Sequence, residues 1–517
     1  MLRNMAHMMS SQVVSWILGT VGQIAAARFL GPEGVGQLRL AFSLWMIAQI
    51  FIALGTSMYL TLEMARDRER GSALVGPILL LRMAAFVVAS VLMAVYGIVA
   101  GVGPQMAAVL AIVGSTTLLL TLSDTLSAAL VGLEQMAYPA IASIVSKTVY
   151  TAVMVAVLLL GGGVIGVAAA TTLNAALMFG LLWYFLRRFS PISFGRPSSG
   201  YGSIVRSSTG FLAAGAIIVV YLQVDTVVIA LLVDEETLGW YGTADVLASS
   251  MLFVPTIMMA TLFPVIGRLH SVDTSAAADV IRRAFSALFL VGVGIGFGTI
   301  VVAEPVAVLL FGEEFRESGE VLAVLGLMMP LIFATIMVGT VAMATGRQRL
   351  WNTVMLVAIV MSIGLDLVFV PWMDRVASNG AIGGAMSYVV TEAFMLVVGI
   401  WRIAPSAFAG PSRLRIMKIV LAGAAMVAAA WPFRDTFILV PVLVGAVVFI
   451  VAVSMLGVLT EDERVMARRL AARVGIRSAG LSLDDDSELG GDERTELSKQ
   501  PEGAHHEAET TEPRQQG

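Results

Sequence analysis

Apolar runs long enough to cross a lipid bilayer follow one another from near the first residue to about residue 459, and the first twelve come as two copies of one plan. About 20 apolar residues make a transmembrane helix. Inside lipid a segment must satisfy its own backbone hydrogen bonds, so each run is read as a helix. The spacing predicts about fourteen spans. Six fall at roughly 9–29, 38–62, 74–98, 106–131, 137–160 and 162–186; six more at roughly 206–232, 239–265, 284–310, 320–345, 350–372 and 379–402; a last pair lies near 414–432 and 437–459. The expected fold is an all-α polytopic membrane protein with two pseudo-symmetric six-helix lobes, 1–190 and 191–404, and two C-terminal helices forming an extra hairpin at 405–460.

The copying is legible in the residues. FLGPEGVGQLRLAFSL from Phe29 and LVDEETLGWYGTADVL from Leu232 align without gaps, pairing Glu33 with Glu236, Gly36 with Gly239, Ala41 with Ala244 and Leu44 with Leu247. GGVIGVA ending at Ala168 answers NGAIGGA ending at Ala385, and Gly132 answers Gly346. Repeats of this kind place a substrate site between the copies, where two rocking lobes expose it to alternate sides.

Hydrophobic residues make up 58% of the chain and charged ones 13%, half the charge of a soluble domain. With no cysteine, disulfides, thiolate metal sites and cysteine nucleophiles are excluded. The histidines are His7, His270, His505 and His506, which offer no three-ligand cluster, and no metal or cofactor is assigned. The first run has Arg3 and a small-residue stretch at Ala25 to Ala27, as a signal peptide would, but Gln12 and Gln23 interrupt it and its repeat partner lies mid-chain. It is kept as a span.

Arginines gather in alternate connections: Arg66, Arg68 and Arg70; Arg187, Arg188 and Arg196; Arg268, Arg282 and Arg283; Arg347 and Arg349; Arg402, Arg413, Arg415 and Lys418. The other connections carry Asp234, Glu235, Glu236, Glu313 and Glu314 with few cations. The positive-inside rule then puts both termini in the cytoplasm and the protein in the cytoplasmic membrane. Residues 461–478 pattern as an amphipathic helix, and 479–517 as a disordered acidic cytoplasmic tail with too little apolar surface to fold.

Ionisable groups inside hydrocarbon cost several kcal/mol unless they meet a partner or a wet cavity. Arg28, Arg39, Arg82 and Lys147 are candidate cations for a phosphorylated head group, because guanidinium and ammonium groups pair with phosphate oxygens. Asp124, Asp225, Asp366 and Glu392 are candidate positions for a coupling proton or sodium ion. The plainer alternative is that Lys147 pairs with Asp124 between helices while Arg28 and Arg39 rest at the interface. The glycine string GVGIGFG, Gly292 to Gly298, reads as helix packing, and Pro255 and Pro330 as bends. There is no phosphate loop for ATP and no long outer connection to hold an enzyme's substrate, so an enzyme is not expected.

AARFLGPEGVGQLRLA, QVDTVVIALL followed by LGWYGTADVL, and the GVIGVAAATTL and GAIGGAMSYVV copies together resemble the polysaccharide biosynthesis (Wzx-type) oligosaccharide flippases of the multidrug/oligosaccharidyl-lipid/polysaccharide exporter superfamily. The resemblance implies a V of two lobes that moves a lipid-linked oligosaccharide between leaflets through a cationic cavity, with membrane lipids and glycan synthesis proteins as partners and no nucleic acid. It matches Arg28 to the arginine before the LGP turn and Asp225 to the acidic position opening the second lobe. Arg39 departs from the pattern, where an aromatic or small residue is usual. A peptidoglycan lipid II flippase, a cation-coupled multidrug exporter and a non-transporting membrane scaffold are the competing readings.

Overall fold

The computed structural model describes residues 2–195, 200–408 and 412–459, with side chains from residue 19 onward except those of 214 and 412. The expected amphipathic helix and acidic tail, and the side chain of Gln12, lie outside what is described. The regular elements among the described residues are helices: α1 (Leu2–Ala53), α2 (Thr56–Arg66), α3 (Arg68–Val99), α4 (Pro104–Gly132), α5 (Ala137–Leu159) and α6 (Gly163–Phe189) in the first half; α7 (Tyr201–Leu232), α8 (Glu235–Ser250), α9 (Phe253–Val272), α10 (Thr274–Phe311), α11 (Arg316–Ala344), α12 (Gln348–Ala377) and α13 (Gly380–Arg402) in the second; then α14 (Ser412–Ala430) and α15 (Leu439–Met455).

Twelve of these helices are long and apolar enough to cross a membrane, so this is a multi-pass membrane protein. α1 holds two crossings, because Gly31 adopts φ 69° and breaks it into two legs, a conformation glycine enters without penalty. Pro32, whose ring fixes φ, opens the second leg. With the apolar, 17-residue α15, the crossings reach the fourteen that the sequence leads one to expect.

Two of the spans read as continuous are in fact broken, each the second of its half. Leu54 and Gly55, with φ 52° and 67°, separate the second leg of α1 from α2. Met251 and Leu252 separate α8 from α9. An apolar pattern carries no mark of such a break, since both fragments stay greasy. Gly55 reveals its reason only in three dimensions: a Cβ there would stand 2.4 Å from the Leu212 amide nitrogen of α7. Pro255 falls in the first turn of α9 and begins a helix instead of bending one.

Helices pair in the same order in the two halves. α4 packs on α6 and α2 as α11 packs on α13 and α9; α5 lies between α1 and α6 as α12 lies between α7 and α13. The glycine string divides its work by side. Gly292 and Gly296 face α11, where added Cβ atoms would reach within 2.8 Å of Pro330 Cα and 2.2 Å of the Gly326 oxygen. Gly294 faces Phe449 of α15 and Gly298 faces Met426 of α14, so α10 carries the extra hairpin on its second glycine face.

The connections on one face of the bundle carry the arginine clusters, the α4–α5 connection at Glu134 excepted, and those on the other the Asp234–Glu236 and Glu313–Glu314 clusters; they are called here the basic and acidic ends. Towards the acidic end the second leg of α1 lies tightly along α8. Towards the basic end their continuations take different partners: α2 packs on α3, α4 and, from the second half, α7, whereas α9 packs on α10 and α11.

Candidate functional site

In the first half, the buried hydroxyl stripe of α4 (Thr117, Thr121, Thr125) turns a polar face inward, with Asp124 beside it on the exposed side. Arg82 of α3 is fully buried against it. Its Nε donates to Thr56 Oγ1 at 3.0 Å, and Nη2 donates to Thr56 Oγ1 at 2.9 Å and Ser57 Oγ at 2.6 Å. Its Nη1 donates to the Thr121 carbonyl and to Asp124 Oδ2, the latter at 3.2 Å. Ser57 donates in turn to Asp124. Asp124 is 51% exposed, the open side of an otherwise enclosed pair. Every nitrogen of Arg82 is thus bound to the scaffold where α2 begins, and the partner of Asp124 is Arg82, not Lys147.

Lys147 lies half-buried on α5 and Arg28 is exposed within a turn of the Gly31 break; neither has an ion-pair partner among the described residues. Of the candidate cations, Arg82 and Arg39 are held by different carboxylates, Asp124 of α4 and Asp245 of α8. Arg39 crosses between the halves and pairs with Asp245 of α8, with Nη2 also 3.4 Å from Thr226 Oγ1. Asp245 lies inside the expected span 239–265 and carries the same mark as the candidate carboxylates, a charge in an apolar run, yet is not among them; nothing in its own segment marks Thr226 until Arg39 is placed opposite.

The second half brings three of the four candidate carboxylates together. Asp225 of α7 accepts from Ser362 Oγ at 2.5 Å. Ser362 sits one turn before Asp366 on α12, so both face α7. Ser387 of α13 donates to the Ser362 carbonyl at 3.2 Å and adjoins Asp366. Neither Asp366 oxygen accepts a well-formed hydrogen bond. Glu392 of α13 accepts from Tyr221 OH at 2.5 Å, while its Oε2 and the nearby Thr335 hydroxyl lack partners of good geometry. Tyr221 meets Tyr388 edge to face, with centroids 6.3 Å apart. All three carboxylates are buried, and no lysine or arginine among the described residues bonds to any of them. Carboxyl groups so placed must be neutralised, by a proton or by a cation, since uncompensated charge is expensive in low dielectric.

Two polar amides also lie within the spans: Gln223 accepts from Ser43 at 2.9 Å across the junction, and Asn174 Oδ1 is buried without a hydrogen-bond partner among the described residues.

This arrangement has counterparts among solved structures. One is the lipid II flippase MurJ in an inward closed conformation, with TM-score 0.70 and 14% identity over 86% of this chain and 97% of that one. Another is an inward-facing multidrug resistance MATE family transporter of the MOP superfamily, with TM-score 0.64 and 15% identity over 78% and 95%. A third is a MOP superfamily transporter from Pyrococcus furiosus described by the reverse polarity of its binding pocket, with TM-score 0.54 and 15% identity over 80% and 96%. At such identities the likeness is one of fold. A search of curated proteins finds no match. In sequence, residues 1–270 match the family described as polysaccharide biosynthesis protein, more than half of the chain and including both copies of the opening repeat, so the chain belongs to the polysaccharide biosynthesis protein family.

Proposed function

We propose that this protein is a flippase that moves a lipid-linked, polyprenyl-pyrophosphate oligosaccharide across the cytoplasmic membrane for cell-envelope or extracellular polysaccharide synthesis. It works by alternating access of its two six-helix lobes, with both termini cytoplasmic, and leaves the substrate covalently unchanged. The observation that supports this reading is the uneven junction of the halves: the second leg of α1 lies along α8 at the acidic end, whereas at the basic end α2 packs on α7 of the second half and α9 packs on α10 and α11. A substrate made on the cytoplasmic side enters there. Membership of a family described by polysaccharide biosynthesis supports a glycan-bearing lipid as the class of substrate.

Within this reading the cations divide. Lys147 and Arg28, without ion pairs among the described residues, are available to the pyrophosphate, whereas Arg82 holds the helix break and lends the site its charge from behind Asp124. Asp225, Asp366 and Glu392 are the coupling positions for a proton or sodium ion, because they are buried and lack a basic partner. The same cluster, walled by Tyr221 and Tyr388, supports a second reading as a cation-coupled multidrug exporter, for which acidic and aromatic lining is suited.

The test is translocation of a fluorescent polyprenyl-pyrophosphate oligosaccharide in proteoliposomes, under an imposed proton or sodium gradient. Wild type is expected to flip the lipid, Lys147→Ala and Arg28→Ala to slow it, and Asp225→Asn to abolish its gradient dependence. A folded wild type that flips nothing but exports cationic dyes would move the exporter reading ahead.

A further inference from the structure

The halves meet at the acidic end through a contact that is reciprocal in the repeat. A Cβ on Gly36 would lie 1.8 Å from the Glu235 oxygen, and a Cβ on Gly239 would lie 1.9 Å from the Pro32 oxygen. Gly36 and Gly239 are repeat partners, and so, at the same offset, are Pro32 and Glu235. Each backbone therefore rests on the other as across an approximate two-fold axis. Such a contact is van der Waals in character and indifferent to charge.

The polar bonds that straddle this contact are not symmetric. Gln37 Nε2 donates to Glu235 Oε2 at 2.6 Å, and Arg39 pairs with Asp245. The repeat position of Arg39 is Gly242, and the Arg39 stem lies over it, its Cγ 3.5 Å from where a Cβ would be. One arginine thus crosses close to the axis, where two symmetric copies would meet head on.

Two buried or half-buried arginines of this chain can be compared directly. Arg82 binds through all three nitrogens and is fully enclosed. Arg39 binds Asp245 through Nη2 alone, its Nε is buried without a partner, and the paired side chains keep 23% and 20% of their exposure. A guanidinium meant to stay put engages its fork. A one-nitrogen bond whose two ends can both be rehydrated is one that separates readily.

We propose that the Arg39–Asp245 pair is a latch that holds the two lobes shut at the acidic end and lets go when that end opens. Arg39 is then a positioning residue for the conformational cycle, not a cation of the substrate cavity. Because the same nitrogen also touches Thr226, the residue after Asp225, the latch bears on the helix that carries a proposed coupling carboxylate. The proposal rests on the reading that the lobes rock.

The chain has no cysteine, so spin labels can be placed without background. One pair, Ala100→Cys with Ala377→Cys, spans the acidic end; another, Glu134→Cys with Ser271→Cys, spans the basic end. All four positions are exposed. Pulsed electron–electron distance measurements in nanodiscs should give wild type a dominant short distance at the acidic end with a minor long one. Arg39→Ala and Asp245→Asn should each raise the long population about fivefold or more and shorten the basic-end distance. The exchanged variant, Arg39→Asp with Asp245→Arg, should return towards wild type.

Single variants with wild-type populations, in a protein whose two distances do interchange, overturn the latch and leave the transport reading standing. Single variants that shift while the exchanged pair fails to recover also overturn it, because the effect then belongs to packing and not to the pair. A wild type whose distances never interchange overturns the rocking of the lobes and the latch with it.

Discussion

Replacing Gly36 by alanine should prop the acidic end open. The added Cβ would stand 1.8 Å from a backbone oxygen of α8, and real Cβ contacts do not go below 3.0 Å, so α1 and α8 must separate by at least about 1.2 Å there. The obstacle is backbone in a helix, which cannot swing aside as a side chain would. Overpacking of this kind costs about 1–3 kcal/mol. If that strain falls only on the closed arrangement, the ratio of open to closed rises about 5- to 150-fold. Ser43→Cys supplies the reporter, being 1% exposed beneath the seam in an otherwise cysteine-free chain. Its labelling by a membrane-impermeant maleimide added from the acidic face should accelerate in Gly36→Ala, and equally in Gly239→Ala by the reciprocity of the contact. Gly242→Ala is the control, because its Cβ would meet Arg39 at an ordinary 3.5 Å. Labelling in Gly36→Ala no faster than in Gly242→Ala would refute the claim that this crossing is the seal.

Two further outcomes are expected. Arg82→Ala removes the bonds that Arg82 makes to the start of α2 and to α4, and should lower stability by about 3–5 kcal/mol in thermal unfolding in detergent, whereas Lys147→Ala should leave stability within about 0.5 kcal/mol; equal melting of the two variants would remove Arg82 from its scaffold role. Asp273 caps α10, accepting from Ser275 Oγ and from the Ser275 and Ala276 amides, which hold its carboxyl below the ordinary 3.8. A lowered folded pKa means that the cap contributes fully above the unfolded value and is lost as pH falls through the folded one, so amide exchange in the first turn of α10 should quicken below about pH 4 in wild type but show no such step in Asp273→Ala.

Much of the fold was legible because lipid makes composition decisive. Runs of apolar residues near 20 long become helices whatever their neighbours, and Phe29–Leu44 beside Leu232–Leu247 declared the duplication. The breaks at Leu54–Gly55 and Met251–Leu252 were not legible, since a gap between two apolar fragments costs nothing in hydropathy and depends on what packs opposite. The candidate residues fared by the same logic. Asp225, Asp366 and Glu392 stood out as charges in apolar runs, and the fold gathers them on adjoining faces of α7, α12 and α13. Arg82 stood out equally, yet its companions Thr56 and Ser57 come from another helix and turn it inward.

By itself the sequence determined that this chain is a helical membrane protein built twice over, and which few ionisable side chains the bilayer must accommodate. Transfer energies and repeats are local properties, and they survive without coordinates. Which charge meets which partner was decided only by the tertiary structure: Arg82 with Asp124, Arg39 with Asp245 across 206 residues, and the buried carboxylates Asp225 and Glu392 with hydroxyls instead of bases. Those pairings depend on the rotation of each helix about its own axis and on where a glycine lets two backbones touch. Hydropathy is blind to both, because it counts how apolar a helix is and not the direction in which its few polar groups point.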